Sequence, residues 1–346
     1  MKHQTTRYGE IPFYKIGTFG NTADAFISKK LFLEYKTKYS FPKKGDILIS
    51  ASGTIGRAVI YDGKPAYFQD SNIVWIDNDE TLVKNDFLFY AYSNIKWNTE
   101  HTTILRLYND NFRNTLIPLP PLNEQIAIAN ILSDVDRYLH ALRALILKKE
   151  SVKKALSFEL LSQRKRLKGF NQAWQRVRLG DIANYLTSNL SVEQITQQGK
   201  IKVYDVNNFI GYTDTTFISD KPYISIVKDG SVGRVRILPP KTNILSTMGA
   251  LIANHRTTTE FLFYLLSNFD FKNFTSGSII PHIYFKDYKE KTIFLPPLNE
   301  QIAIANVLSD LDKEIESLKN KKRQFENIKK ALNHDLMSAK IRVLNK

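Results

Sequence analysis

Residues 119–136 of the chain read LPPLNEQIAIANILSDVD, and residues 295–312 read LPPLNEQIAIANVLSDLD. Only two of these 18 positions differ, Ile131 against Val307 and Val135 against Leu311, and both exchanges keep an aliphatic side chain. The two copies lie 176 residues apart, which is too long for a solenoid, whose repeats span about 20–50 residues. The chain therefore contains a duplication of one large unit.

The repeat extends upstream in weaker form. Residues 53–57, GTIGR, align with residues 230–234, GSVGR, and residues 87–90, FLFY, occur again at 261–264. Each half is thus a divergent domain followed by a nearly identical segment. This pattern indicates a shared task for the identical segments and separate tasks for the divergent domains.

The identical segment predicts the start of a long helix. Pro120 and Pro121 hold the chain extended, Asn123 is a good N-cap, and Glu124 falls in the first turn, where the helix dipole favours a negative charge. Residues 296–300 repeat the arrangement. Downstream, residues spaced by three and four form a seam: Leu132, Val135, Leu139, Leu142 and Ile146 in the first copy, and Leu308, Leu311, Ile315, Leu318, Lys322, Phe325, Ile328 and Leu332 in the second.

These two helices set the predicted architecture. Neither 122–168 nor 298–346 contains Gly or Pro, so each helix could run for about 44 residues, roughly 66 Å. Helices of this length need a partner for their apolar stripe. Since the second domain follows helix one and precedes helix two, we expect the helices to pair antiparallel, with a pseudo-two-fold repeat.

The divergent domains predict short strands and one short helix each, an α+β fold. The predicted strands cover 46–50, 58–61, 73–76, 224–227 and 235–238, and the short helices cover 85–93 and 259–268. The predicted domains are 1–119, the first divergent domain; 120–168, helix one; 169–295, the second divergent domain; and 296–346, helix two.

The charge of the chain suggests a polyanionic partner. It has 49 Lys and Arg residues against 34 Asp and Glu residues, a formal net charge of +15, and nucleic acid is the commonest partner of such a protein. The alternative is a protein that is merely basic. The absence of Cys excludes disulfides and thiolate metal sites, and the apolar runs are too short to span a membrane. We expect a cytoplasmic protein without a membrane anchor.

No catalytic motif emerges from the sequence. It has no Gly-rich phosphate loop, no Asp/Asn-Pro-Pro-Tyr/Phe methyltransferase motif and no Asp…Glu-x-Lys nuclease cluster, and its six histidines lack metal-ligand spacing. We therefore predict no catalytic residue, no metal site and no cofactor.

Two variable domains, each followed by a long helix that opens with PLPPLNEQ or FLPPLNEQ, resemble the specificity subunit of a type I restriction–modification enzyme over nearly the whole chain. The resemblance implies that each domain reads one half of a gapped site in double-stranded DNA. It also implies that two methyltransferase subunits dock on the helical scaffold, that restriction subunits join the full complex, and that the specificity subunit is not a catalyst.

The first domain departs from this family at its start. The second domain opens with WQRVRLGDIA at 174–183, an opening strand and turn typical of the family, and 27 residues precede its Ile201. Only ten residues precede the matching Ile11. We expect the first domain to be N-terminally shortened and to read the weaker half-site.

Polar and basic residues of the predicted loops are the candidate DNA contacts, because Arg and Asn can pair with base edges while Ser and Lys bind phosphate. They are Ser52, Thr54, Arg57, Tyr108, Asn109, Asn111 and Arg113 in the first domain, and Lys228, Ser231, Arg234, His255, Arg256, Ser276, Ser278, His282 and Tyr284 in the second. Since both domains share the Gly-x-x-Gly-Arg motif, it could position phosphates or simply form a turn.

Polar residues of the identical segments are the candidate docking residues, because a helix seam alone would constrain only apolar positions. They are Asn123, Glu124, Gln125 and Asn130 in the first copy and Asn299, Glu300, Gln301 and Asn306 in the second. A recent duplication with little divergence would also explain their recurrence.

Two other functions remain open on the sequence alone. The chain could be a stand-alone DNA-binding regulator without methyltransferase partners, or a coiled-coil adaptor with no role on nucleic acid. The target bases cannot be derived from these loops.

A basic DNA-binding complex should bind with a steep dependence on salt. Each phosphate that the protein neutralises contributes about −0.9 to the slope of log K against log salt, so the methyltransferase-bound chain should show a clearly negative slope in filter binding. A slope near zero would contradict the polyanion argument.

Overall fold

The computed structural model describes residues 4–68, 72–97 and 106–343. The chain divides into two compact units, Met1–Arg143 with Asn320–Lys346, and Ala144–Lys319. We call them unit 1 and unit 2. Each contains one β-rich domain, the first part of the long helix that follows it, and the last part of the other long helix. The long helices are therefore integral to the units rather than separate from them.

The described residues of unit 1 form two three-stranded sheets, ordered β2-β1-β5 and β4-β3-β6. Its strands are β1 (Ile11–Tyr14), β2 (Phe26–Ile27), β3 (Ile47–Ser50), β4 (Ala58–Ile60), β5 (Tyr67–Phe68) and β6 (Ile73–Trp75), and its short helices are α1 (Lys29–Lys38), α2 (Asn85–Tyr92) and α3 (Asn109–Arg113). The central strand β3 is buried along its whole length, as expected of an apolar strand with a neighbour on each side.

Unit 2 is built around a four-stranded sheet, ordered β12-β11-β14-β8, with smaller sheets β10-β9-β13, β17-β7 and β15-β16. The strands are β7 (Gln175–Arg178), β8 (Ala183–Thr187), β9 (Ile201–Tyr204), β10 (Phe209–Thr213), β11 (Tyr223–Val227), β12 (Val235–Leu238), β13 (Asn243–Ile244), β14 (Met248–Ala253), β15 (Thr275–Ser276), β16 (His282–Ile283) and β17 (Thr292–Leu295).

Two short helices of unit 2, α5 (Thr259–Ser267) and α6 (Phe285–Tyr288), come after the last strand of the four-stranded sheet, β14, in the chain. The Thr258 side chain caps α5 by accepting a hydrogen bond from the Phe261 backbone N–H. Phe261 then packs in one core with Ile224 of β11 and with Leu308 of the long helix. The predicted α+β fold is confirmed, and the short helices predicted at 85–93 and 259–268 are present as α2 and α5. The expectation of one short helix in each domain was wrong, because α1, α3 and α6 are also present.

The long helices are α4 (Leu122–Leu161) and α7 (Leu298–Met337), each of 40 residues or about 60 Å. Both are shorter than predicted. Asn123 is not the N-cap: the helix begins one residue earlier, and the Asn123 carboxamide oxygen accepts the Glu124 N–H at 2.9 Å. Much of the predicted seam is buried, but Ile328 is 51% exposed, so its assignment to the seam was wrong.

Within each unit the two long helices run antiparallel, as predicted. In unit 1 Asp136 on α4 pairs with Lys329 on α7 at 2.6 Å, and Arg143, seven residues later on α4, pairs with Glu326, three residues earlier on α7, at 3.1 Å. In unit 2 Lys149 pairs with Glu314 at 2.8 Å. A further ion pair joins Lys153, four residues later on α4, to Asp312, two residues earlier on α7.

The same three-residue link ties a short helix to both long helices in each unit. In unit 1 the Tyr90 hydroxyl donates to Asp136 at 3.0 Å, and the Lys329 ammonium binds that carboxylate at 2.6 Å. Unit 2 repeats the link with Tyr264, Asp312 and Lys153. Burial, together with the neighbouring carboxylate, raises the pKa of Tyr264, so its hydroxyl remains a donor at neutral pH.

The opening strand of the second domain pairs with the strand that precedes the long helix α7. Strand β7 pairs antiparallel with β17, and the Trp174 indole N–H donates to Glu300 at 2.9 Å. Among the described residues of unit 1, none forms a strand with 116–119, the counterpart of β17. Leu119 is accordingly exposed where its counterpart Leu295 is buried. The weaker half-site of the first domain stays a prediction.

Candidate nucleic-acid interface

A short hairpin in unit 2 gathers most of the candidate contacts of that unit. Strands β15 and β16 pair antiparallel across the loop 277–281. The hairpin is joined to the end of β11 because the Ile283 N–H donates to the Lys228 carbonyl and the Gly230 N–H donates to the Pro281 carbonyl, both at 2.9 Å. We call residues 228–234 and 275–286 the hairpin surface. It includes Lys228, Ser231, Arg234, Ser276, Ser278, His282 and Tyr284.

An aromatic and cationic row runs along this surface. His282 Nδ1 lies 2.6 Å from the Asp229 carboxylate, which holds the imidazole ring in place. The Tyr284 ring stacks beside that ring with centroids 6.5 Å apart, and the Lys286 ammonium lies 5.5 Å from the Tyr284 ring. Such a row can bind phosphate through its cation and bases through its ring faces and edges.

Sequence reasoning missed Lys286, which belongs to this row. The signal was present, since residues 282–286 read HIYFK, a run in which His282, Tyr284 and Lys286 occupy alternate positions. The candidate contacts predicted from the sequence are loop residues, whereas Lys286 lies in α6.

His255 and Arg256 are not part of the hairpin surface. Strand β14 begins beside Val227 and ends beside Ala183, and these two residues follow its far end, about 20 Å away at ~3.3 Å per residue. The Arg256 guanidinium donates there to Gln175 at 3.2 Å. The structure therefore separates them from the other candidate contacts of unit 2.

The Gly-x-x-Gly-Arg motif forms a tight turn in both units. Its glycines have positive φ, for example +79° at Gly56 and +81° at Gly233, a conformation that glycine adopts without strain. A Cβ at Gly56 would lie 2.2 Å from the Trp97 indole nitrogen, and one at Gly233 would lie 2.6 Å from the Phe271 ring. The turn accounts for both glycines without a phosphate.

Some candidate DNA contacts of unit 1 are engaged in hydrogen bonds within the unit, and others are exposed to solvent. Ser52 is buried, and its hydroxyl donates to Asn72 at 2.9 Å, so its assignment as a surface contact was wrong. The Arg57 guanidinium donates to the Phe19 carbonyl at 2.9 Å, and the Asn111 side chain accepts the Tyr108 N–H at 2.6 Å. The exposed candidates are Thr54, Tyr108, Asn109 and Arg113.

The described residues contain neither a metal-binding cluster nor a membrane-spanning helix. Within 4–68, 72–97 and 106–343, no group of three or more His, Cys, Asp and Glu side chains could hold a metal ion; His3 and His101 lie outside these ranges. In the same part of the chain, no helix has the length and apolar character needed to cross a membrane.

Comparison with known proteins identifies the family. The model of the type I restriction modification DNA specificity domain matches residues 1–150 and again residues 171–327. The chain belongs to this family. The two matches, one for each half, confirm the family predicted from the repeated segments.

Relatives of this type I specificity chain carry the same description. This chain is 65% identical over 133 residues to a putative type I restriction enzyme specificity subunit of Haemophilus influenzae. The match covers 38% of this chain and 34% of that protein. The chain is 29% identical over 337 residues to the putative MjaX specificity subunit of Methanocaldococcus jannaschii, covering 86% of this chain and 79% of the relative. These names favour the restriction–modification role over a stand-alone regulator.

The fold has a counterpart among solved structures. The S subunit of a type I restriction–modification system from M. genitalium superposes with a TM-score of 0.62 and 19% sequence identity, covering 97% of this chain and 91% of that one. At this identity the likeness establishes the fold of the specificity chain.

A buried glutamine accounts for one polar position of the repeated segment in this specificity chain. The Gln301 amide donates to the Arg256 and Pro296 carbonyls, at 2.9 and 2.8 Å, and its oxygen accepts the Thr258 N–H at 3.1 Å. The Gln125 amide repeats the arrangement in unit 1 with the Leu82 and Pro120 carbonyls and the Lys84 N–H. We call each set of contacts a glutamine clamp.

A buried glutamate lies beside each clamp. Glu124 binds the Arg342 guanidinium through two contacts of 2.6 Å, and this hydrogen-bonded pair lowers the pKa of the Glu124 carboxyl. Glu300 binds Arg166 in the same manner, at 3.0 and 2.5 Å. Both arginines follow the end of the opposite long helix, so the pairs fasten the end of one helix to the start of the other.

These contacts revise the docking prediction. Glu124, Gln125, Glu300 and Gln301 are all buried in their own units, and a buried side chain offers no surface to a partner. Their recurrence follows from folding. Asn123, Asn130, Asn299 and Asn306 are exposed, and their docking role stays a prediction.

Removing a clamp should destabilise its unit. Gln301→Ala would leave the Thr258 N–H and two carbonyls without their partner, at about 1–3 kcal/mol for each buried group left unsatisfied. We expect unit 2 to unfold at a lower urea concentration. The unfolding is measured by the fluorescence of Trp174, which lies next to the clamp. The control is Asn299→Ala, which removes an exposed amide two residues away; equal midpoints for the two variants would contradict the clamp's role.

Proposed function

We propose that the chain is the non-catalytic subunit that gives a type I restriction–modification complex its DNA specificity. Unit 1 and unit 2 each read one half of a gapped site in cytoplasmic double-stranded DNA. The observation that carries this proposal is the combination of one repeated frame with two different recognition domains. The glutamine clamp and the Tyr–Asp–Lys link recur in both units, while the candidate contact residues differ.

The hairpin surface supports DNA reading by unit 2. It combines hydroxyls, an imidazole, a phenol and lysines, which are groups that bind phosphates and base edges. The formal charge of +15 supports attraction to the duplex. In unit 1 we assign the corresponding role to the exposed residues Thr54, Tyr108, Asn109 and Arg113.

We also propose that two methyltransferase subunits dock on the chain, one on each copy of the repeated segment, and that restriction subunits join the full complex. Support comes from one exposed helix face that is identical in both copies. It consists of Leu122, Asn123, Ile126, Asn130 and Asp134 in α4, and of Leu298, Asn299, Ile302, Asn306 and Asp310 in α7. We call each set a docking face. Its isoleucines are exposed and do not belong to the hydrophobic clusters that form the cores of the two units.

Sequencing of methylated DNA tests the function. Cells that express the chain with its methyltransferase should carry a methylated motif of two half-sites separated by a gap of fixed length. His282→Ala combined with Tyr284→Ala should relax one half-site and leave the other unchanged, because only the hairpin surface of unit 2 is altered. His255→Ala, outside this surface, is the control. A motif without a gap, or one in which both halves change, would contradict the proposal.

Changes in the docking faces should alter the composition of the complex. Ile126 and Ile302 are 46% and 49% exposed, so a lysine at either position should fold normally while placing a charge against the apolar surface of a partner. Ile126→Lys and Ile302→Lys should each remove one methyltransferase copy in native mass spectrometry.

The matched control is Leu147→Lys, since Leu147 is exposed on the same helix but has Arg323 as its counterpart. Leu147→Lys should retain both methyltransferase copies. A complex with two copies after both isoleucines are changed would refute the docking faces.

A further inference from the structure

The tip of the hairpin presents two isoleucines to solvent. Ile279 is 91% exposed and Ile280 is 55% exposed. Hairpin loops favour Gly, Asn, Asp and Ser, whose backbone freedom or side-chain hydrogen bonds stabilise the turn. An aliphatic pair contributes neither and leaves apolar surface in water. The pair therefore indicates a partner that covers the tip.

The tip is firmly supported. Gly277 has φ +89°, and a Cβ there would lie 2.3 Å from the Ile280 carbonyl oxygen. The loop therefore forms a tight turn that leaves no room for a side chain at this position. At the base Ile283 is buried, and the Pro281 carbonyl accepts the Gly230 N–H at 2.9 Å. A tip that is held in this way keeps its shape when it contacts a partner.

The surroundings of the tip fit a polyanion. Ser276 and Ser278 present exposed hydroxyls on the hairpin, and Lys286 is exposed beside Tyr284. The Asp229 carboxylate of the hairpin surface is bound by the His282 imidazole at 2.6 Å. With the +15 charge of the chain, these groups favour duplex DNA as the occupant over an apolar protein surface.

We propose that Ile279 is a wedge that enters the DNA between two neighbouring base pairs of the half-site read by unit 2. Apolar side chains that insert in this way unstack one step and kink the duplex by about 20–90°. The serine hydroxyls and Lys286 hold the flanking phosphates. Unit 2 then selects DNA partly by how easily one step deforms, in addition to base contacts. This inference rests on the proposed function and adds a means of recognition to it.

The test uses 2-aminopurine, whose fluorescence rises when it is unstacked. The methyltransferase-bound full-length chain first selects a duplex from a randomised pool, and 2-aminopurine is then placed at successive positions of each half-site. We expect the fluorescence to rise several-fold at one step. Ile279→Ser should abolish the rise and increase the dissociation constant about tenfold, the loss expected for one aliphatic side chain that is no longer buried. Ile279→Leu should retain both properties.

Phe217→Ser is the matched control, because Phe217 is also an exposed apolar residue of unit 2 but lies outside the hairpin surface. Thermal unfolding should be unchanged for all three variants. An unchanged fluorescence rise in Ile279→Ser overturns the wedge while leaving DNA recognition intact. So does loss of the methyltransferase with the rise preserved, since the tip would then contact protein. If the wild-type complex selects no duplex, the proposed function fails together with the wedge.

Discussion

The side-chain amides of Gln125 and Gln301 lie where each recognition domain meets its long helix. Each amide binds the main chain on both sides of that junction, the loop before a short helix and the proline segment before the long helix. A buried amide that lost these partners would cost more than the bonds contribute, so the junction has one favourable geometry. The direction in which each long helix leaves its domain depends on this contact.

The helix pairing adds a second constraint within each unit. The Asp–Lys and Arg–Glu pairs connect the start of one long helix to the end of the other, and their residues recur at the same 176-residue offset as the sequence repeat. A unit therefore cannot form its core from its own domain alone: Leu336 contributes to the core of unit 1 and Leu160 to that of unit 2. Each unit folds with help from a segment distant in sequence.

The sequence predicted the elements better than the site. Repeats, helix periodicity and proline positions depend on local pattern, and they predicted α4, α7 and the two short helices α2 and α5. Recurrence alone could not show whether Glu300 is buried or exposed, because folding and docking both preserve a polar residue. The hairpin surface depends on two-residue strands joined to Lys228 through the main chain, and such pairing leaves little mark in the sequence. Ser52 was misassigned because its partner Asn72 is 20 residues away.

The glutamine clamps contact the recognition domains chiefly through main-chain atoms. Leu82, Lys84 and Arg256 contribute a carbonyl or an N–H, and these groups are the same whatever side chains the domain carries. A gene segment encoding a different recognition domain could therefore be inserted between the two repeated sequences by recombination, and the clamp would find the same atoms to bind. The feature that holds the fold together thus also allows the specificity to be replaced in a single genetic step.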